Sequence, residues 1–341
     1  MLKTTTVGEE IVLDHGTGAR LSRELIEFIA ELLGDVYVGE MEDSAIVQTA
    51  GGPLAVTTDS FVVDPPFFGN GDIGKVAVCG TVNDLAVLGA EPRYLTLGVI
   101  LEAGLPVARF ATVLRSIGDA SREAGVVIVA GDTKVVRPGE ADQIYLNTTG
   151  IGVFRTPPLR MAHVAAGDSI LLTGPIGNHT VHLLSVREGL GFERDVLSDC
   201  APLNGLVSTV LRSPHGRAVH SIRDVTRGGL TAVLHEYARA TGLTPHLVEQ
   251  ALPIERPVRM ACDMLGINPM NAANEGCLCL FVGQSAADEV LGVLHGHPYG
   301  HQAAIVGTMV KEDGWDVRIT RPDGRVDSID ELHGAELPRL C

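Results

Sequence analysis

Apolar residues recur every three or four positions across 21–33, with Ser22 near the start and Gly34 just past the end; this spacing predicts an amphipathic helix. Residues 53–63 predict a strand that carries Thr58-Asp59-Ser60. An Ala- and Val-rich run at 73–88 predicts a long helix, 93–101 a strand, and 106–124 a helix closed by Gly125. Residues 126–130 are all β-branched or Ala, which predicts a buried strand running into Gly131-Asp132-Thr133-Lys134. Another strand is expected over 143–154. Thr156-Pro157-Pro158 then breaks the pattern and marks a domain boundary. The second half restarts with a strand at 169–173 and a helix-rich stretch to 212. A segment ending in Arg223-Asp224-Val225-Thr226-Arg227-Gly228-Gly229 leads into a helix to about 241, followed by an apolar run at 277–282 and a strand at 303–309. Short strands at 317–319 and around Val326 lead to 333–341, where Gly334, Pro338 and Arg339 read as a flexible tail. Helices and strands mix without a strict βαβ rhythm. The expected fold class is α+β, with two-layer domains at 1–154 and 155–332.

Composition narrows the picture. The chain has 341 residues, 45% hydrophobic, enough for two cores. Aromatics are only 4%, so Ala, Val, Leu and Ile must fill those cores. No stretch reaches the roughly 18 uninterrupted apolar residues of a membrane span. Met1-Leu2-Lys3 and the threonines after it lack the apolar centre of a signal peptide, and a cytoplasmic protein is expected. With 26 basic against 42 acidic residues the net charge is −16. Nucleic acid is a poor partner for such a surface. Nucleotides remain open if metal ions bring the positive charge. The six cysteines form no CxxC pair. Cys277 and Cys279 read as core residues of one strand face, whereas Cys341 stands apart as the last residue.

The candidate chemistry is acidic. Asp59 and Asp132 lie at ends of apolar runs, Asp224 at a turn before a helix, and Asp43 and Asp84 in helix or loop contexts. One such Asp is an ordinary cap. Five in Gly-, Thr- and Asn-rich settings point to hard oxygen ligands for Mg2+ with a polyphosphate. No GxxxxGK(S/T) loop occurs. Gly69-Asn70-Gly71-Asp72-Ile73-Gly74 matches GxGxxG, but Asp64-Pro65-Pro66 denies it the preceding strand of a dinucleotide fold. A glycine loop opening the long helix, with Asp72 at its start, is the better account. Glu275, in Asn274-Glu275-Gly276, stands before an apolar run as a candidate base or a plain strand-start residue.

Several of these segments together resemble one family. They are Val56-Thr57-Thr58-Asp59-Ser60, Asp64-Pro65-Pro66-Phe67-Phe68, Ile73-Gly74-Lys75, Cys79-Gly80-Thr81-Val82-Asn83-Asp84, Gly131-Asp132-Thr133-Lys134-Val135-Val136, Asp224-Val225-Thr226-Arg227-Gly228-Gly229, Asn274-Glu275-Gly276 and Pro338-Arg339-Leu340-Cys341. The chain resembles the HypE family of hydrogenase maturation factors, within the PurM-like (aminoimidazole ribonucleotide synthetase) superfamily, over essentially its whole length. The last segment and the one around Lys134 are the most specific. Two departures are Ala19, where the family's HGxGG has its last Gly, and Cys277, where relatives often have Lys.

The resemblance implies a two-domain PurM-like α+β chain that dimerises through its N-terminal domain and binds ATP in a cleft beside that sheet. It implies that Cys341 receives a carbamoyl group from the carbamoyltransferase HypF and that ATP drives dehydration to a thiocyanate. The cyano group then passes to iron on a HypC–HypD complex. On this reading Asp43, Asp59, Asp84, Asp132 and Asp224 hold Mg2+. Lys75, Asn83, Thr133, Thr226, Arg227 and Gly228 contact ATP, and Lys134 and Glu275 serve the carbamoyl group on Cys341. The alternative is another PurM-like ATP-dependent ligase or kinase acting on a free small molecule, which would not need Cys341.

Overall fold

The structure is a computed structural model that describes residues 12–16, 20–33, 42–312 and 316–333. Helix α1 (Arg20–Leu33) precedes a hairpin of β1 (Ala45–Thr49) and β2 (Gly52–Phe61). Helix α2 (Ile73–Val87) opens on Asp72, whose Oδ1 accepts the N–H groups of Gly74 at 2.8 Å and Lys75 at 3.1 Å, as an N-cap should. Strand β3 (Ala90–Glu102) and helix α3 (Val107–Ala124) follow, and Gly125 ends the helix at φ 72°. Strands β4 (Val127–Val136) and β5 (Ile144–Phe154) complete a sheet ordered β1-β2-β5-β3-β4. Only β3 and β4 run parallel, because α3 carries the chain back between them.

The second sheet begins with β6 (Ser169–Leu172), after which come α4 (Asn178–Glu188), α5 (Asn204–Arg212), β7 (Val219–Asp224) and α6 (Gly229–Thr241). Next are β8 (Thr244–Val248), α7 (Arg256–Leu265), β9 (Leu278–Val282) and α8 (Ala287–His295). Strands β10 (Ala304–Val310), β11 (Val317–Thr320) and β12 (Val326–Ile329) finish the order β12-β11-β8-β10-β6-β9-β7. Interior strands β6 and β9 are buried on both faces, as their unbroken apolar runs require. Tyr237 stacks on Phe281 at 4.0 Å beneath this sheet, and its hydroxyl is 2.6 Å from Ser221 Oγ. The architecture is α+β.

Helix α2 is the joint of the molecule. It packs on β2, β3 and β5 of the first sheet and on α5 and β7 of the second half. It is therefore buried nearly all round, which explains why its sequence is apolar all round instead of on one stripe. Each Val or Leu so buried contributes about 1.5–3 kcal/mol. Small residues permit the close approach: a Cβ at Gly74 would lie 2.6 Å from Val113 O, and one at Gly150 2.7 Å from Thr81 Cγ2.

Two expectations need correction. The strand expected to be buried at 126–130 is exposed over most of its length, with Val127 at 56% and Val129 at 57%. It forms the sheet's edge, paired to β3 alone. An apolar run reports a need for cover without saying whose surface supplies it. Strand β8 and helix α7 were not anticipated, because Pro245 and Pro257 mask them. Pro257 lies in the first turn of α7, where its missing N–H costs nothing. Among the described residues no helix is long and apolar enough to cross a membrane.

Candidate active site

A cleft of about 570 Å³ opens where the two halves meet. Asp59 reaches it from β2, Gly80 and Asp84 from α2, and Asp43 from the chain before β1. Asp224 ends β7, and Thr226 and Arg227 form the turn into α6. Glu275 enters from the turn before β9, while α1 and Glu331-Leu332 close the opposite wall.

Carboxylate oxygens of Asp43, Asp84 and Asp224 all lie within 4.8 Å of one another. Thr57 Oγ1 is 2.8 Å from Asp84 Oδ2 and 3.0 Å from the Asp43 carbonyl oxygen. Arg223 Nε is 2.7 Å from Asp43 Oδ1, and its Nη2 is 2.9 Å from Glu236 Oε2, so one buried guanidinium spans two acids. Burial raises the carboxyls of Asp43, Asp59, Asp84 and Asp224. At Asp84 the charges of Asp59, Asp224 and Asp43 push further in the same direction. At Asp43, Arg223 opposes the rise. Such a group of acids cannot all ionise without a cation.

Asp59 is tied to the helix and sheet beside it by hydroxyl groups. Its Oδ2 is 2.9 Å from Thr81 Oγ1, which is 2.5 Å from Thr148 Oγ1, which donates to Ala77 O at 3.0 Å. The Thr81 hydroxyl donates to Asp59 and opposes the rise that burial causes there. Glu275 is buried, and its carboxyl stands well above the usual range because of that burial, with Cys200, Asp199 and Asp224 adding to the effect.

The structure thus brings Asp43, Asp59, Asp84, Asp224, Thr226, Arg227 and Glu275 to one cleft. Gly228, at φ 78°, starts α6 beside them. Asp132, Thr133 and Lys134 stand instead on the exposed strand β4, where Lys134 Nζ is 2.7 Å from Asp132 Oδ2. That contact holds the Asp132 carboxyl below its usual range. Lys75 lines a separate shallow cleft with Arg115, Asp119 and Glu123. Asn83 is committed elsewhere: its Nδ2 donates to Ala201 O at 3.1 Å and its Oδ1 accepts from Leu203 N at 2.7 Å. Both ends of the amide thus join α2 to the second half. Cys341, with Thr17 and Ala19 of the first glycine turn, lies outside the described residues.

Sequence reasoning missed Arg223, Glu236, Arg23, Arg239 and Glu331. Glu331 accepts from Arg23 Nη1 at 2.6 Å and from Arg239 Nη2 at 2.8 and 2.9 Å, and Arg20 N donates to Leu332 O at 3.2 Å. These contacts pin α1 and the root of the C-terminal segment to α6, at the rim of the cleft. The one sequence signal was Glu236 and Arg239 at i and i+3 on a predicted helix, which share a face.

Comparison with known proteins fits this arrangement. Residues 41–154 match the AIR synthase related protein N-terminal domain, and residues 165–320 the corresponding C-terminal domain. The carbamoyl dehydratase HypE of Azotobacter vinelandii is 44% identical over 330 residues, covering 96% of both chains. A HypE crystallised with HypF superposes with a TM-score of 0.84 at 39% identity, covering 90% of this chain and 99% of that one. A HypE solved in complex with ATP gives 0.81 at 40% identity, over 97% and 100%. With this likeness running through both domains, the chain belongs to the HypE family of carbamoyl dehydratases.

Proposed function

We propose that the chain uses ATP to dehydrate a carbamoyl group carried on Cys341 to a thiocyanate, the source of a cyanide ligand for nickel–iron hydrogenase. The observation that supports this most is a meeting of two features at one cleft. The carboxylates of Asp43, Asp84 and Asp224 line it, and so does Leu332, from which residues 333–341 lead to the thiol. Extended, that segment reaches roughly 30 Å, and the tether raises the local concentration of the carbamoyl group to about the millimolar range.

A carbamoyl oxygen is a poor leaving group. Its attack on the γ-phosphorus of ATP, with loss of ADP, turns it into a phosphate ester. Departure of that phosphate with the C–O electron pair, and loss of both nitrogen protons, leaves a carbon–nitrogen triple bond. Glu275, which lines the cleft, is the base that takes a nitrogen proton on this reading, and the burial that raises its carboxyl makes its ionised form a stronger base. Arg227 faces the charge of the transferring phosphoryl group. The start of α6 at Thr226 to Gly228 offers backbone N–H groups to phosphate. The hard, crowded oxygens of Asp43, Asp84 and Asp224, with Asp59 beside them, fit Mg2+, which when bound neutralises triphosphate charge.

The partners follow from the family: a HypF carbamoyltransferase as donor and a HypC–HypD complex as acceptor, in the cytoplasm. The test is intact-mass spectrometry after incubation with HypF, carbamoyl phosphate, ATP and Mg2+. A carbamoyl adduct should appear and then lose one water. ATP-dependent activity that survives deletion of residues 334–341 would favour the ligase or kinase acting on a free substrate.

The same reading includes a homodimer through β4. Val127, Val129 and Val135, the last 67% exposed, lie on an edge strand, a hazard unless another surface covers it. No described residue lining this chain's cleft comes from β4, so Lys134 acts at a cleft when a second copy brings it there. Val127→Glu with Val129→Glu should shift the protein from dimer to monomer in analytical ultracentrifugation. Mixing equal amounts of Lys134→Ala and Asp84→Asn chains, each inactive alone, should restore about a quarter of the native activity, since about half the dimers are mixed and each carries one intact site. A monomeric native protein, or no restoration, would remove β4 and Lys134 from the mechanism.

A further inference from the structure

The glycine motif at 69–74 has no residue lining the cleft. Its glycines answer to packing: a Cβ at Gly71 would lie 2.6 Å from Phe68 Cε2, and one at Gly74 2.6 Å from Val113 O. Its one polar side chain ahead of the helix cap, Asn70, crosses to the second half. Asn70 Nδ2 donates to Ser198 O at 2.8 Å, and Asn70 Oδ1 accepts from Ser198 N at 3.1 Å. Ser198 is buried, and its Oγ lies 2.7 Å from His179 Nδ1.

The next residue, Asp199, continues the chain of contacts. Its Oδ1 accepts from Glu275 N and its Oδ2 from Gly276 N, both at 3.1 Å. Ala201 N donates back to Glu275 O at 3.3 Å. A Cβ at Gly276 would sit 1.8 Å from Asp199 O, so only glycine fits there. Burial pushes the Asp199 carboxyl up to about 6, against the pull of those two N–H groups. Both of its oxygens are engaged by these two N–H groups. The peptide unit of Glu275 is thus gripped by a carboxylate whose own position is set by Asn70 of the other half.

We propose that Asn70, Ser198 and Asp199 form a latch across the two halves that positions Glu275, with Asp199 and Asn70 as positioning residues for proton removal. This rests on the reading of Glu275 as the base. A base must stand within about 2.6–3.2 Å of its proton, and a displacement near 1 Å costs on the order of 10²-fold. Asp199→Asn keeps the shape but offers one acceptor and one N–H₂, so one of the two backbone donors faces another donor. Neither Asp199 nor Asn70 lines the cleft, so ATP binding is untouched.

The test is a double-mutant cycle on the full chain. Single-turnover water loss from the carbamoylated protein is measured by intact mass for the native chain, Asp199→Asn, Glu275→Gln and the pair. Asp199→Asn should slow water loss about 10- to 100-fold with an unchanged KM for ATP. In the Glu275→Gln background, itself slowed about 10²- to 10⁴-fold, it should change the residual rate by less than about 2-fold. Asn70→Ala, which removes no buried charge, should repeat the pattern at smaller size. It serves as the deciding variant if Asp199→Asn fails to fold. Equal loss in both backgrounds would mean that Asp199 only supports the fold, and no loss in either variant would remove the latch; both overturn the proposal. Full activity of Glu275→Gln would instead sink the reading of Glu275 as base, and the latch with it.

Discussion

Replacing Asp84 by Asn should raise the melting temperature of the metal-free protein by a few degrees while weakening Mg-ATP binding about 10²-fold or more. Both changes come from one cause. Asp84 is crowded by Asp59, Asp224 and Asp43 in a buried setting, and its carboxyl is held well above the ordinary range. A carboxyl raised on folding contributes stability below its unfolded value, near 4, and that stability is lost as pH rises through the folded value. The metal-free native protein should therefore weaken as pH climbs from about 4 towards neutrality. Asp84→Asn removes its share of that loss, so its advantage should grow with pH. A cation reverses the balance, because the repelling oxygens become ligands; even groups outside a coordination shell are worth about 10- to 100-fold in metal affinity. Thermal melts in a chelator across this pH range, paired with calorimetry of Mg-ATP, read both effects. Unchanged ATP affinity with Mg2+ present would sink the assignment of these acids to a metal.

Replacing Cys341 by Ser should abolish the carbamoyl mass shift, and with it the later loss of water, while folding and ATP binding stay intact. Cys79, Cys200, Cys262, Cys277 and Cys279 are all buried free thiols. Cys200, in Ser198-Asp199-Cys200, would be the nearest rival, but it packs against Cys79. Hydrogen bonding with that neighbour, together with burial, pushes the Cys200 thiol well above its usual range. A thiol that is neither exposed nor ionised is a poor nucleophile. Peptide mapping should place the adduct on Cys341, and Cys200→Ser should carbamoylate normally. An undiminished adduct in the Cys341→Ser protein would end the tethered-thiol mechanism and favour an enzyme acting on a free substrate.

How much of this was legible depends on the range over which each signal acts. Helix α2, helix α3 with its Gly125 stop, strands β2, β3, β5 and β10, and the Asp72 cap were all readable to within a few residues. Side-chain periodicity and capping are decided by neighbours three or four positions away. The acids were readable as a class, since Asp59, Asp84 and Asp224 each stand in a short polar setting beside an apolar run. Which of them meet in space was not. Asp43, Asp84 and Asp224 come from a loop, a helix and a strand end, and the packing of α2 against both the first sheet and β7 brings their oxygens together.

By itself, then, the sequence determined the elements, the α+β class, the acidic chemistry and the family likeness, because each rests on local spacing or residue identity. The tertiary structure alone decided what those residues face. It turned Asn83 and Lys75 away from the cleft, set Arg223 between Asp43 and Glu236, and clamped Glu331 between Arg23 and Arg239. It made the glycine motif a contact between halves and left the apolar strand β4 uncovered. The physical reason is common to all of them. Local patterns state what a residue needs, whether burial, a cap or a counter-charge, but the group that meets the need is chosen by packing that integrates the whole chain.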